Sequence, residues 1–220
     1  MKLSVPLTET QVVAAGKIHN ELEQWKAADR VLKYLGTTIP ENTDLDRVLL
    51  KVAALNQLYG TNVYYLYAMA QHIVEVFSSE RTWDECSLVE QIAYLEASGR
   101  RHQSFASKYC HFFVDSEQFP LFDSYVPVVV RMHLGRGNYR CKTTDQTYRN
   151  FYEDLQTLRR SISFDPTIRE LDHYLWLRGQ WETLRKKGER APIGAEVKDL
   201  FKRRDSDLRV RTLIDQLCGL

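Results

Sequence analysis

Almost every segment of this chain repeats its apolar residues at three- and four-residue intervals, and that period admits an all-α domain and little else. Val128-Val129-Val130 is β-prone, but three residues inside a helical context do not make a strand. No internal repeat, low-complexity tract or Pro/Gly/Ser linker interrupts the pattern. At 220 residues, 44% apolar and 27% charged with 10 Gly and 6 Pro, the chain has enough core for one large domain and excludes collagen-like and disordered classes. We expect a domain over residues 1–180, with a basic loop and C-terminal helix over 181–220 packed on it or appended to it.

The first helix is expected from about Thr10 to Leu35, on a stripe of Val12, Val13, Ile18, Leu22, Trp25, Val31, Leu32 and Leu35, before Gly36 and Pro40 stop it. Asp44 is placed to cap a second helix ending near Tyr59-Gly60, and Thr61-Asn62 to open a third carrying Val63, Leu66, Tyr67, Ala70, Ile73, Val74 and Phe77. Ser87 and Glu90 have capping-box spacing for a helix ending at Gly99, and Gln103 or Ser104 opens the next, which makes a helical hairpin. Asp123 sits where a cap belongs before Ser124, Tyr125 and Val126, with Pro127 in the first turn. Further helices are expected at about 145–160, at 166–178 behind Asp165 and Pro166, and at about 194–217, with Arg185–Arg190 as an exposed basic loop.

The net charge is +1, but it is unevenly spread: residues 1–100 hold 9 basic and 13 acidic side chains, residues 101–220 hold 21 and 16. The second half is where a polyanion would bind. Cys86, Cys110, Cys141 and Cys218 show no metal-ligand spacing, so neither a zinc ribbon nor an iron–sulfur cluster is expected, and no cofactor or metal. Met1-Lys2-Leu3-Ser4-Val5-Pro6 lacks the apolar stretch of a signal peptide, and the longest apolar run, Val63 to Ala70, is too short to span a bilayer. A cytoplasmic location, reduced thiols and no membrane partner are the expectations.

Two residues stand out for chemistry: Lys108, on the second helix of the hairpin, and Asp123, at the start of the next. The segments Ser104-Phe-Ala-Ser-Lys108-Tyr-Cys-His-Phe-Phe113 and Phe119-Pro-Leu-Phe-Asp-Ser-Tyr-Val126 carry them, and Leu50-Lys-Val-Ala-Ala-Leu-Asn-Gln-Leu-Tyr-Gly-Thr-Asn-Val63 lies upstream. Taken in this order, over about residues 45–135, the chain resembles the helix-hairpin-helix DNA glycosylases, the superfamily of 8-oxoguanine DNA glycosylase and endonuclease III-type enzymes. It looks most similar to compact bacterial proteins of the 8-oxoguanine glycosylase fold. The resemblance implies an all-α helix-hairpin-helix domain, Lys108 as catalytic lysine and Asp123 as helix-capping catalytic aspartate. It also places Tyr59 near the wedge that fills the gap left by an extruded base, and Asn62 at the adjoining capping position. The hairpin keeps only Gly99 of the family's Gly-x-Gly, and the interval from wedge to lysine is shorter than in the family, so a helix walling the base pocket is missing or reduced. Substrate identity therefore does not transfer.

The implied reaction is excision of a damaged or modified base from DNA, with associated strand nicking. The target nucleotide leaves the stack, a neutral Lys108 amine attacks C1′ and a Schiff base follows. An amine with an ordinary lysine pKa near ~10.4 attacks slowly unless burial or nearby cations such as Arg100 and Arg101 lower it. Asp123 would stabilise positive charge on the sugar or move protons. Gly99, with Arg100 and Arg101, would hold phosphate without reading sequence.

Each residue also has an ordinary structural role available: Lys108 as a helix-surface lysine, Asp123 as a cap, Tyr59 as a core aromatic, His102 and His111 as helix-lining histidines, and His173 and Trp176 as packing. Lys202-Arg-Arg204, with Glu182, Glu189, Asp205 and Asp207 nearby, has the composition of solvated charge. The alternative to an enzyme is a non-catalytic module that grips DNA or a protein with the same hairpin. A defence factor acting on modified phage DNA would share fold and chemistry and differ in substrate.

Overall fold

The structure is a computed structural model that describes residues 2–137 and 147–220; Cys141 and the first two residues of the helix expected at 145–160 lie outside them. The described residues are mostly helical, and none of their helices is long and apolar enough to cross a membrane. Two compact units divide the chain: Met1–Lys26 with Ser124–Arg140 and Glu153–Leu220, and Ala27–Asp123 with Cys141–Tyr152. Residues 181–220, set apart in the sequence reading, thus fall in the same unit as the chain's first 26 residues.

The first unit is built around α1 (Glu9–His19), which packs on α9 (Ile168–Lys187) and α11 (Leu208–Cys218). Its core is aliphatic: Val12, Ala14, Ala15 and Ile18 of α1 meet Leu171, Leu175 and Leu177 of α9 and Val210, Leu213, Ile214 and Leu217 of α11. Each such large aliphatic side chain contributes on the order of 1.5–3 kcal/mol on burial. The helix expected over Thr10–Leu35 is two helices, α1 and α2 (Glu23–Thr38). Tight backbone bonds from Glu21 N to Ile18 O and from Leu22 N to His19 O close the turn between them, and Asn20, a weak helix former, sits at the break. The stripe divides with it: Val13 and Val31 are exposed.

The start of α9 is set by Thr167, whose hydroxyl accepts from Glu170 N while the Glu170 carboxylate takes the Thr167 N–H, so the cap lies two residues beyond Asp165. Arg185, Lys186 and Lys187, expected in a loop, form the last turn of α9, where the helix dipole favours cations. The helix expected over 194–217 is also two, α10 (Ala195–Lys202) and α11, the second capped by Asp207 accepting from Arg209 N and Val210 N. Lys202 pairs with Glu189, Arg203 with Asp207 and Arg204 with Asp215, as a solvated charge run should.

In the second unit, α3 (Leu45–Tyr59) packs on α4 (Leu66–Ser78), and α5 (Glu85–Ala93) on α6 (Gln103–Phe113). Asp44 caps α3 through Arg47 N at 3.0 Å, and Gly60 ends it at φ 57, both as expected. Three boundaries differ. The cap of α5 is Asp84, whose carboxylate takes the Ser87 N–H at 2.7 Å; Ser87 is the third residue of the helix, not its cap. α4 opens at Leu66 rather than at Thr61-Asn62, so Asn62 caps nothing. α7 (Val126–Leu134), which belongs to the first unit, begins after Tyr125, which leaves Asp123 three residues before its first turn; Pro127 is tolerated as its second residue.

The expectation of no strand is corrected at 94–101. Tyr94–Leu95 (β1) and Arg100–Arg101 (β2) pair antiparallel, joined by a 3-10 turn over Glu96–Ser98 and by Gly99 at φ 60. α5 therefore stops at Ala93, not at Gly99, and the connection is a small β-hairpin set between two helices. Within this unit Gly36 of α2 faces α6 so closely that a β-carbon there would overlap the Phe112 carbonyl oxygen.

Candidate functional site

Lys108 is 6% exposed on α6, and its Nζ meets three oxygens: Ser104 Oγ at 2.7 Å, Ser104 O at 3.2 Å and Phe122 O at 3.3 Å. Oxygen acceptors of this kind hold a cation well. Phe122 immediately precedes Asp123, so the fold brings the two singled-out residues to one place through the backbone of 119–122. That segment is fixed on α6 by Ser107 Oγ, which accepts from Phe122 N at 3.0 Å, and by the His111 ring, whose Nδ1 lies 2.9 Å from Phe119 O. The Tyr148 hydroxyl donates to Pro120 O at 2.9 Å. Asp123 itself is half-buried in irregular chain.

Tyr59 belongs to this same neighbourhood. Its ring lies 6.0 Å from Lys108 Nζ and tilts against Phe112, and its hydroxyl donates to the Asp29 carboxylate. It is a half-buried aromatic tied down at both ends rather than a projecting side chain.

The loop after α3 is organised by Asn56. Its side-chain carbonyl accepts from Val63 N at 2.9 Å and Thr61 Oγ1 at 2.8 Å, and its amide donates to Val63 O at 3.2 Å. Asn62 adopts φ 57, a conformation that asparagine tolerates better than most side chains. Val63 is thereby drawn into the core, and Tyr64 and Tyr65 are turned outward.

Those tyrosines face the hairpin. Tyr64, Tyr65, Ser98, Arg100 and His102 line an open pocket of about 290 Å³, with no carboxylate among the described residues that line it. The His102 N–H donates to Ala93 O at 2.7 Å and closes the hairpin at the head of α6. Ser98 Oγ lies 3.1 Å from His102 Nε2 and 3.1 Å from Leu95 O, and it accepts from Arg100 N at 3.2 Å. Burial, and then the adjacent Arg100 charge, hold the His102 imidazole below its ordinary pKa, so it is neutral at neutral pH. On the outer face of the hairpin, the cross-strand pair Tyr94 and Arg101 stacks, with the guanidinium 5.0 Å from the ring.

Gly99, Arg100 and Arg101 thus lie together on the hairpin, Tyr59 joins Lys108 and the 122–123 corner, and Asn62 sits in the loop that aims Tyr64 and Tyr65. The tyrosine pair and Ser98 were not legible as site residues. Two consecutive tyrosines after a Gly-Thr-Asn turn were the available signal and went unused, and Tyr67, counted in the apolar stripe of α4, is itself exposed. A second cleft, in the first unit, is lined by Glu21, Gln24, Glu196, Asp199 and Arg203 among others and is acidic, the wrong sign for a polyanion.

Lys51 was also missed. It is fully buried, with Nζ 3.0 Å from both Glu41 O and Asn42 Oδ1 and 5.3 Å from the Phe113 ring centre. Burial lowers its pKa to about 8.

Among family models, the one described as "HI_0787_N: N-terminal domain" matches residues 11–118, which include the hairpin and Lys108 but not Asp123. A Haemophilus influenzae (strain ATCC 51907 / DSM 11121 / KW20 / Rd) protein named "Uncharacterized protein" is 28% identical over 151 residues, covering 66% of this chain and 72% of that one. No solved structure matches the chain.

Proposed function

We propose that this chain is a compact helix-hairpin-helix-type DNA glycosylase with lyase activity, in which Lys108 is the nucleophile and Asp123 its electrostatic and proton-handling partner. The observation that carries the reading is the 3.3 Å contact of Lys108 Nζ with Phe122 O, which joins a buried amine to the residue next to Asp123. In the reaction the deprotonated amine forms a bond to C1′, the C1′–N bond to the base breaks, and the base departs with a proton. Loss of a second amine proton as the sugar ring opens gives the Schiff base. To act, Lys108 must shed one proton and release Ser104, and the Asp123 carboxylate is the nearby group of the right chemistry to manage that charge. The hairpin supplies phosphate contacts through Arg100 and Arg101.

A second reading, a non-catalytic nucleic-acid-binding module, is favoured by the same oxygen acceptors around Nζ, which suit a structural lysine that ties α6 to the 119–122 segment. Borohydride trapping on duplexes carrying oxidised, alkylated or deaminated bases separates the two. The enzyme reading expects a covalent adduct that Lys108→Gln abolishes. If no lesion in a broad panel gives an adduct, while Arg100→Glu with Arg101→Glu eliminates DNA binding, the module reading replaces it.

A further inference from the structure

We infer that the pocket between the hairpin and the head of α4 binds unpaired DNA, so that the preferred partner is a single strand, or a duplex with a single-stranded stretch, rather than intact double helix. This rests on the nucleic-acid reading above and specifies its substrate class. Four tyrosines on the two elements concerned stay in solvent: Tyr64 is 78% exposed, Tyr67 56%, Tyr65 55% and Tyr94 43%. Tyr64 and Tyr65, the two most relevant of these, line one pocket, and exposed side chains of this size brought together signal a binding surface. The pocket wall joins two of these rings to the Arg100 guanidinium, with no acidic side chain among the described residues that line it, so aromatic faces for bases and a donor for a phosphate occur at one site.

That combination discriminates between nucleic-acid forms. In a duplex each base already has both faces stacked on its neighbours, and a protein tyrosine can reach only edges and backbone. In a single strand the faces are available, and stacking on tyrosine is sequence-tolerant because every base has one. Arg101 over Tyr94 adds a cationic plane on the face of the hairpin opposite Arg100. Burial holds His102 neutral, and its Nε2 hydrogen goes to Ser98 Oγ, whose own proton goes to Leu95 O, so Arg100 supplies the charge on this wall and recognition rests on stacking more than on counterion release.

Fluorescence anisotropy with a labelled single strand of about fifteen nucleotides, and with the blunt duplex made from it, tests the inference on the full chain. The expected result is at least about tenfold tighter binding of the single strand. Tyr64→Ala and Tyr65→Ala should each weaken it roughly five- to hundredfold, while Tyr64→Phe, which keeps the ring, stays near wild type. Both side chains are exposed, so an unchanged far-UV circular dichroism spectrum is expected for each variant. Duplex bound as tightly as single strand, or Tyr64→Ala and Tyr65→Ala binding like the wild type, overturns the inference and leaves the nucleic-acid reading standing. Failure of the wild type to bind either form overturns both.

Discussion

His133 Nε2 lies 2.8 Å from the Tyr174 hydroxyl, between two rings that are fully buried in the first unit. His133 Nδ1 lies 2.7 Å from Val5 O, which can only accept, so Nδ1 carries the hydrogen and Nε2 receives the proton of Tyr174. Burial, and to a lesser degree the Arg178 charge, hold the His133 pKa below its ordinary 6.5. The unfolded chain therefore takes up this proton first, and the stability that the neutral ring contributes is present above pH 6.5 and lost as pH falls below it. Thermal melts from pH 7.5 down to 5 should show a falling midpoint whose slope is reduced in His133→Gln. At pH 7 that variant should itself lose about 1–3 kcal/mol. Parallel acid limbs in the two proteins would contradict the assignment.

Lys51 gives the opposite end of the pH scale. Its folded pKa of about 8 against the ordinary 10.5 means that the unfolded state binds more protons between those values, so its burial penalty is constant below pH 8 and is relieved as pH rises toward 10. The stability of wild type relative to Lys51→Met, from urea unfolding at pH 7 and pH 10, should move in favour of wild type at the higher pH. Taking the difference matters, because burial pushes the Tyr109, Tyr148 and Cys110 pKa values up, and those groups destabilise the fold in the same range. A difference that is the same at both pH values would rule out a depressed Lys51.

Two candidate caps for α5 can be told apart. Asp84→Ala removes the acceptor for the Ser87 N–H and should cost about 1 kcal/mol, whereas Ser87→Ala removes only the hydroxyl's 3.1 Å bond to Asp84 O and should cost a few tenths. Chemical denaturation of both variants measures this, and a larger loss in Ser87→Ala would restore the serine cap.

Arg100 and Arg101 are expected to act on DNA affinity through charge. Replacing both with Gln should weaken binding and flatten the dependence of log affinity on log salt by up to about 1.4 with a single strand, roughly 0.7 for each phosphate no longer neutralised. Titrations at several salt concentrations read the slope directly. A slope unchanged in the double variant would remove the hairpin from the binding surface.

The fold class was legible because helical periodicity is a summed signal, and summing over α3, α6 and α9 tolerates individual errors. Boundaries were less so, because they turn on which of several adjacent polar groups wins a backbone N–H. Asp84 outcompetes Ser87 with a charged acceptor, and Thr167 outcompetes Asp165 because Glu170 is positioned to answer it. The β-hairpin was invisible since two-residue strands carry no period. Lys108 and Asp123 were singled out through the family resemblance, and the structure puts Lys108 Nζ 3.3 Å from the carbonyl of Phe122, the residue before Asp123. Tyr64 and Tyr65 drew no notice, because nothing local says that the chain before Leu66 is not yet helical; Asn56, six residues before Asn62, decides it through side-chain bonds that sequence spacing does not announce.

Gly36 carries one more implication. The residue whose carbonyl it admits, Phe112, stands one helical turn beyond Lys108 on the same face of α6. The glycine therefore works as a locating notch: it sets how deeply α6 seats, and with it how far the Lys108 amine can travel from Ser104 toward anything presented beside Asp123. The placement of the side chain at residue 108 is gauged, in this chain, by the absence of a methyl group seventy-odd residues earlier.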